Sequence, residues 1–303
     1  MSLAIDDRKA LARYRQVYGL GSEIDASHVR RHEALERELT QTLLGSSEQS
    51  RWADFETAYT RLYSELPWLN ATPEATADGL EPRVQSWRFL VAARAKIYEV
   101  GSGRARLLRF LHSIGCECVA TEITRERGQR HANDADGLTW RNSDGIHLTQ
   151  FEPSQDYDCV ISTQVVEHMH PEDLPTHFAQ ALQLLKSGGT YIFDTPHRSC
   201  GPHDLSRVFE LDRAEYMHLK EYTWVELHAM LLKAGYSRVQ AIFQLPGLAA
   251  RGCIAPSSIY LRYLMLWDWL EDRLALPAPA RRRLRKWLRW ALVPSNVWLQ
   301  ATR

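Results

Sequence analysis

The chain has 303 residues, which is enough for one large domain or two smaller ones with a sizeable buried core. Its 37 basic and 37 acidic side chains give a formal charge of zero, so no global positive field would attract nucleic acid. The five cysteines lack regular spacing, and the sequence shows neither a signal-peptide core nor an apolar run of transmembrane length, so we expect a cytoplasmic protein.

Helical patterns fill the first block of the chain, residues 1–94. Asp25 or Ser27 can cap one helix, and a second helix begins near Ser50. The second helix carries an aromatic stripe on one face, formed by Trp52, Phe55, Tyr59 and Tyr63. This stripe either packs against the rest of the chain or a partner subunit, or forms a lid that closes over a substrate. We predict a helical cap that continues into the following domain.

A strand, a glycine turn and a helix are predicted next, over residues 96–111. Gly101 and Gly103 make the turn between the apolar strand and a run of leucines at helical spacing. Glycines let a ligand approach the backbone closely, and the first N–H groups of the helix have no partner within it. The turn therefore predicts a site for a nucleotide-like ligand.

The residues around this turn favour one class of nucleotide over another. The dinucleotide fingerprint has a third glycine where this chain has Arg106. Glu99 precedes the first glycine, and a carboxylate there would repel a pyrophosphate but attract a cationic ammonium group. Glu122, at the end of the second predicted strand, can accept both hydroxyl groups of a ribose. S-adenosylmethionine is therefore favoured over NAD.

Two later segments complete a familiar pattern. Residues 157–169 form a predicted strand with a Glu-His ending, and residues 184–196 form a helix end, a double-glycine turn and another strand. Together with the earlier turn, they resemble class I S-adenosylmethionine-dependent methyltransferases over roughly residues 95–245, and again at the last strand, 296–302. The resemblance implies an α/β, three-layer α/β/α Rossmann-like fold. Its sheet would have seven mostly parallel strands and an antiparallel last strand.

The resemblance also implies where the cofactor lies. Glu99 and the glycine turn would hold the methionine end, Glu122 the ribose, and Asp144 the adenine. The cofactor-binding residues assigned in this way are Glu99, Gly101, Ser102, Gly103, Glu122, Ile123, Asp144, Gly145, Gln164 and Glu167. They follow the carboxyl ends of predicted strands, where open parallel sheets bind their ligands. No metal ligand is assigned.

The densest set of polar side chains follows the fifth predicted strand, within residues 195–204. His203, oriented by Asp204, can act as a general base that takes a proton from an acceptor hydroxyl or amine. Alternatively, His197, His203 and Asp204 can ligate a divalent metal that positions a diol, or can satisfy backbone groups of a structured loop. We assign His203, Asp204 and His197 as candidate catalytic residues.

An insertion over about residues 245–292 separates the sixth predicted strand from the last one. An apolar helix is followed, after Pro277 and Pro279, by a basic amphipathic helix over residues 281–290. This helical hairpin can form structure or a homodimer interface, capture an anionic substrate, or contact a membrane surface or a glycolipid headgroup.

These observations define the expected domains and activity. Residues 1–94 would form the cap and residues 95–303 a methyltransferase domain that acts on a small-molecule acceptor. Our first hypothesis is O-methylation of a sugar, glycan or secondary metabolite, and methylation at nitrogen or carbon is nearly as consistent. A protein or RNA substrate is disfavoured because the chain has no aromatic-basic binding module. A noncatalytic binding or scaffold protein with the same fold is the alternative from another class.

Overall fold

An eight-stranded sheet lies at the centre of the computed structural model, which describes residues 7–70, 82–124, 137–245, 247–288 and 292–303. The strands are β1 (Lys96–Val100), β2 (Glu117–Glu122), β3 (Thr139–Asn142), β4 (Tyr157–Thr163), β5 (Leu185–Pro196), β6 (Arg238–Gln244), β7 (Ile254–Ser257) and β8 (Asn296–Thr302). Their order across the sheet is β3-β2-β1-β4-β5-β8-β6-β7.

The strand directions determine which edge of the sheet is suited to ligand binding. β1 pairs in parallel with β2 and β4, β2 with β3, and β4 with β5. β8 runs antiparallel between β5 and β6. The carboxyl ends of β1 to β5 therefore meet at one edge of the sheet. This topology confirms the Rossmann-like class that the sequence predicts.

The expected number of strands, seven, was one too few. The additional strand β7 pairs antiparallel with β6 at the edge of the sheet, inside the segment predicted as a helical insertion. β7 has four residues and contains Pro256, which has no N–H group for a ladder and is tolerated at an edge. A segment so short gives no alternating pattern that sequence reasoning can detect.

Helices cover both faces of the sheet. They are α1 (Asp7–Tyr18), α2 (Ala26–Leu44), α3 (Arg51–Glu65), α4 (Pro82–Ser86), α5 (Arg106–Ser113), α6 (Leu174–Leu184), α7 (Trp224–Ala234), α8 (Ser258–Leu274) and α9 (Ala278–Leu288). One face buries Tyr98 and Phe193 against α6 and α7, and the other buries Ile97 and Ile192 against α5. Alternate residues of β1 thus serve opposite cores, as the two-residue period of a strand requires.

The helices α1 to α3 lie over the carboxyl edge of the sheet and are called the cap. α2 begins where the sequence predicts, because the Asp25 side chain accepts hydrogen bonds from the backbone N–H groups of Ser27 and His28. The cap has its own apolar clusters, which include Leu205 and Met217 from the segment between β5 and α7. The buried Arg51 of α3 also pairs with Glu172 at 2.9 Å, which ties the cap to the entry of α6.

The helices α8 and α9 form a hairpin between β7 and β8. The Arg285 guanidinium is buried and donates to Asp268 at 2.8 Å and to Glu271 at 3.0 Å. Arg285 therefore belongs to the interior of the hairpin, whereas its neighbour Trp287 is 77% exposed. Among the described residues, none of the helices combines the length and the apolar character needed to cross a bilayer.

Candidate active site

A cavity of about 660 Å³ opens at the carboxyl ends of β1, β2 and β4. Three parts of the described chain line it: the turns that follow β1 to β4 together with the entry of α6, the inner side of the cap, and both ends of the segment 203–218. The two regions are named after the roles that the sequence predicts for them: the first part of the wall is called the cofactor half, and the cap with the segment 203–218 is called the acceptor half.

The glycine turn after β1 forms the floor of the cofactor half. Gly101 has φ +66°, and a Cβ atom there would lie 2.6 Å from Cγ2 of Val165, so only glycine fits without movement. Gly103 lies behind the wall, and its N–H donates to Oε1 of Glu122 at 2.6 Å. Ser102 is also behind the wall, with its N–H donating to the Thr121 carbonyl at 2.8 Å. The turn is therefore fastened to β2 on both sides.

The two carboxylates near this turn differ in their exposure to the cavity. Glu122 lies on the cavity wall at the tip of β2, next to Ile123, whose N–H donates to Oε2 of Glu122 at 3.3 Å. Glu99 lies beneath the turn and is 2% exposed, and its Oε2 has no hydrogen-bond partner among the described residues. Burial raises the pKa of Glu99 to about 8. A buried carboxylate oxygen without a partner fits a cationic ligand group.

Asp144 and Gly145 lie on the wall in the turn after β3. The Asp144 carboxylate accepts from the backbone N–H groups of Ile146 at 2.8 Å and of His147 at 2.9 Å. Gly145 has φ +73°, and a Cβ atom there would lie 3.2 Å from Val100. Asp144 thus fixes the shape of the turn through its own backbone contacts.

Gln164 and Glu167 follow β4 but face different surroundings. Gln164 lines the cavity with φ +55°, and its side-chain amide donates to Asp194. Glu167 is fully buried behind the wall and accepts from the Thr195 hydroxyl at 2.8 Å. Burial raises the pKa of Glu167 to about 7.

Of the three candidate catalytic residues, His203 and Asp204 line the acceptor half. The Asp204 carboxylate accepts from the N–H groups of Ser206 and Tyr216, both at 2.9 Å, so it holds the loop and does not orient His203. The carboxylate beside His203 is Glu221, whose Oε1 lies 3.5 Å from the His203 Nδ1. The expected pairing of His203 with Asp204 is therefore replaced by a charge contact with Glu221, and the His203 Nδ1 has no hydrogen-bond partner among the described residues.

His197 lies away from the cavity and is fully buried. Its Nε2 bonds to the Asp268 carboxylate at 2.9 Å, and its Nδ1 accepts from the Ser199 N–H at 3.1 Å. Since both ring nitrogens are engaged within the protein, His197 connects the hairpin to the loop after β5. Burial also lowers its pKa, which disfavours a charged ring.

The cap contributes a chain of hydrogen bonds that sequence reasoning missed. The Trp68 indole N–H donates to the Tyr14 hydroxyl at 2.8 Å, and that hydroxyl lies 2.9 Å from Nδ1 of His32. Nε2 of His32 lies 2.7 Å from Oε1 of Glu36. Because a carboxylate only accepts, His32 donates from Nε2 and accepts the Tyr14 proton at Nδ1. Glu36 lines the cavity, and its buried Oε2 has no partner among the described residues.

Comparison with known proteins gives a consistent result. A family model described as a methyltransferase domain matches residues 33–241, more than half of the chain. No curated protein matches the sequence.

Solved structures share the fold at low sequence identity. Phosphoethanolamine N-methyltransferase 2 from Haemonchus contortus, in complex with S-adenosyl-L-methionine, has a TM-score of 0.51 and 14% identity, over 86% of this chain and 60% of that one. The complex of this enzyme with phosphomonomethylethanolamine and S-adenosylhomocysteine has a TM-score of 0.50 and 13% identity, over 85% and 60%. A methyltransferase from Archaeoglobus fulgidus has a TM-score of 0.48 and 15% identity, over 74% of this chain and 95% of that one.

Proposed function

The chain belongs to the class I S-adenosylmethionine-dependent methyltransferases, and we propose that it methylates an oxygen of a small, hydroxylated acceptor such as a sugar, glycan unit or secondary metabolite. The size and enclosure of the cavity carry this proposal. Its volume of about 660 Å³ lies in the range typical of small-molecule sites. A cofactor and a small acceptor share such a space, whereas a folded macromolecule would need an open surface.

The residues of the cofactor half fit S-adenosylmethionine, which supplies a methyl group on a positively charged sulfur. We propose that Gly101, supported by Ser102 and Gly103, lets the methionine end approach the backbone. The unpartnered Oε2 of Glu99 supports an electrostatic role toward the cationic groups of this end.

The rest of the cofactor contacts are proposed from the neighbouring strand ends. Glu122 and Ile123 would hold the ribose, and Asp144 with Gly145 would border the adenine. Gln164 lines the cavity directly after β4, and we propose that it lies near the transferred methyl group.

The acceptor half supplies groups suited to hydroxyl recognition. We propose that the acceptor lies between Glu36 of α2 and Asp204, and that the unpartnered Oε2 of Glu36 accepts a hydrogen bond from one of its hydroxyl groups. The aromatic side chains of Phe55 and Tyr59 line the same space and offer flat apolar faces for a sugar or ring. The aromatic stripe lines the cavity and also packs within the cap.

Chemistry at this site depends mainly on positioning. Holding the acceptor oxygen close to and in line with the methyl group can remove about 7 kcal/mol or more of the barrier in favourable cases. We propose that His203 then takes the proton of the acceptor hydroxyl, and that the negative charge of Glu221 beside its Nδ1 stabilises the protonated ring. General base catalysis contributes roughly 10²–10⁴-fold. His197 and Asp204 would act as positioning residues that hold the loop.

Transfer of an isotope-labelled methyl group tests this function. The purified chain would be incubated with labelled S-adenosylmethionine and a panel of sugars, alcohols, phenols, amines and carbon acids, with products identified by mass spectrometry. We expect labelled ethers. Exclusive labelling of amines would move the proposal to an N-methyltransferase, the activity named for the neighbour from Haemonchus contortus. Exclusive labelling of protein or RNA would overturn it.

A further inference from the structure

We propose that Glu167, His168 and His218 form a binding site for one divalent transition-metal cation, Zn²⁺ foremost. One potential ligand atom from each of the three side chains lies within 4.8 Å of the other two. His168 and His218 line the cavity, so the cation would face the acceptor half. The inference deepens the proposed function, on which its consequence for the acceptor rests.

The hydrogen bonds of the two histidines prepare them for metal binding. Nδ1 of His168 lies 2.8 Å from the backbone carbonyl of Met217, and a carbonyl only accepts, so this nitrogen carries the proton. Nδ1 of His218 lies 2.9 Å from the Glu221 carboxylate, which likewise accepts. In the neutral rings the lone pair is then on Nε2. Histidines that bind metals are typically anchored in this way, by a carbonyl or a carboxylate on the opposite nitrogen.

Glu167 supplies the negative ligand. It is fully buried, and while its Oε2 accepts from the Thr195 hydroxyl, its Oε1 has no hydrogen-bond partner among the described residues. A buried carboxylate oxygen without a partner is costly, and a cation would compensate for that cost. The unpartnered Oε1 of Glu167 is an observation independent of the two histidines, and it also indicates a cation at this position.

The spacing and composition suit a specific group of ions. Bonds of about 2.1 Å to nitrogen and oxygen place ligand atoms up to about 4.2 Å apart, so only small side-chain rotations are needed to close the site. Two imidazoles with one carboxylate are used by catalytic zinc sites and other first-row metal sites, which keep an open position for an exchangeable ligand. Mg²⁺ and Ca²⁺ prefer all-oxygen sets.

The position of the site defines the substrate class more closely. The open coordination position would face the space that we propose for the acceptor, between the cap and the segment 203–218. A cation there selects acceptors that offer an oxygen donor, such as a vicinal diol or a hydroxyl beside a carbonyl group. Carbon acceptors that offer no donor atom to the cation would be disfavoured.

Titration with Co²⁺ tests the site without reference to turnover. The full chain, treated with a chelator and dialysed, would be titrated with Co²⁺ while its d–d absorption is recorded. We expect binding to saturate at one Co²⁺ ion per chain. Zn²⁺ should displace the bound Co²⁺, and Mg²⁺ at the same concentration should not. Glu167→Gln keeps an acceptor for Thr195 and should weaken binding on the order of 100-fold. Glu221→Gln, which leaves the Nδ1 of His218 with a neutral acceptor in place of a charged one, should weaken it about 10-fold.

Two controls separate the possible outcomes. His228→Gln, on α7 and outside the cavity, should leave Co²⁺ binding unchanged. S-adenosylhomocysteine, titrated into the same samples, reports whether each variant retains the folded cofactor half. The cation site is refuted if the unmodified chain shows no saturable Co²⁺ binding, or if Glu167→Gln binds Co²⁺ as tightly as the unmodified chain. Retained cofactor binding with no metal leaves the proposed methyl transfer intact, while metal binding without methylation of any oxygen acceptor contradicts that function alone.

Discussion

The two halves of the cavity are built in different ways. The cofactor half consists of turns that directly follow neighbouring parallel strands, and its parts bond to each other, as the Gly103 N–H does to Glu122. The acceptor half brings together Glu36 of the cap, His203 of the loop after β5, and His218 close to α7. Its geometry depends on how the cap packs on the segment 203–218.

This difference indicates which part of the cavity the sheet determines and which part can change between related proteins. The sheet determines the cofactor half, because strand pairing sets the positions of Gly101, Glu122 and Asp144 relative to one another. Packing of side chains between distant segments determines the acceptor half, and such packing tolerates substitution if its volume is conserved. Changes in the cofactor half should therefore affect cofactor affinity, and changes in the acceptor half should affect turnover or acceptor affinity.

The largest effect is expected from Gly101→Asp. A side chain there meets Val165 at 2.6 Å on a backbone with φ +66°, and its charge enters the floor of the cofactor half. We expect cofactor binding to become undetectable by calorimetry while the circular dichroism spectrum is retained. Gly188→Asp is the matched control, because Gly188 has φ +76° but open space around it. It should lower the free energy of unfolding by about 1–2 kcal/mol and leave cofactor affinity unchanged. Equal affinity in both variants would remove Gly101 from the site.

His203→Ala tests the acceptor half. We expect kcat to fall roughly 10²–10⁴-fold while the affinity for S-adenosylhomocysteine stays within twofold, because the ring lies away from the cofactor half. Steady-state kinetics with an acceptor from the screen, together with calorimetry, measure the two quantities. Unchanged kcat would exclude His203 as the base, and a parallel loss of cofactor affinity would show that the two halves are not independent.

Glu36→Gln should change acceptor affinity alone. The substitution removes the charge from the carboxylate at the end of the Trp68-Tyr14-His32 chain but keeps an oxygen that His32 can donate to. We expect the KM for the acceptor to rise about 10-fold, the loss of one charge-assisted hydrogen bond, with little change in kcat. Glu33→Gln, on the same helix and paired with Arg37, is the control. A rise in KM of the same size in both variants would contradict the assignment.

The smallest effect is a pH dependence in the cofactor half. Burial raises the pKa of Glu99 to about 8, above its usual 4.5, so the unliganded chain holds this carboxyl protonated at neutral pH. Its stabilising contribution is complete below about pH 4.5 and is lost as the pH rises through 8. A cationic ligand favours the ionised form, so affinity for S-adenosylmethionine should increase severalfold between about pH 6 and 8.

Calorimetry across this pH range gives the measurement, and Glu99→Gln should flatten the profile. The nearby Glu122 is also acidic, and its negative charge adds to the increase in the pKa of Glu99. A profile that stays equally steep in Glu99→Gln would assign the pH dependence to another group.

The strands and the glycine turn of the cofactor half could be predicted from the sequence because their signals are local. A buried strand, glycines and an acid at the next strand end occur in a fixed order that reflects parallel pairing. The last strand was also predicted with its observed bounds, Asn296–Thr302. β7 was missed because its four residues carry a proline and no alternation.

His203, Asp204 and the aromatic stripe of the acceptor half were predicted from the sequence, but His32 and Glu36 were not, for a physical reason. His32 and Glu36 have the ordinary spacing of a helix, and nothing local indicates that α2 lies over the strand ends. The sequence preferred His203 to His197 as the base, but it could not show how the surroundings of these two residues of one polar loop differ. Only burial distinguishes them: His197 bonds to Asp268 in the interior, and His203 lines the cavity.

The bond between His197 and Asp268 has a consequence for protein engineering. Removing α8 and α9 from the chain would leave the buried imidazole of His197 without its carboxylate partner, which should lower the free energy of unfolding by about 1–3 kcal/mol. The loop that carries His203 would also lose one of its attachments. The hairpin is therefore needed for the stability of the loop after β5 and cannot be deleted without loss. A chimera that borrows it from a relative must exchange His197 and Asp268 together.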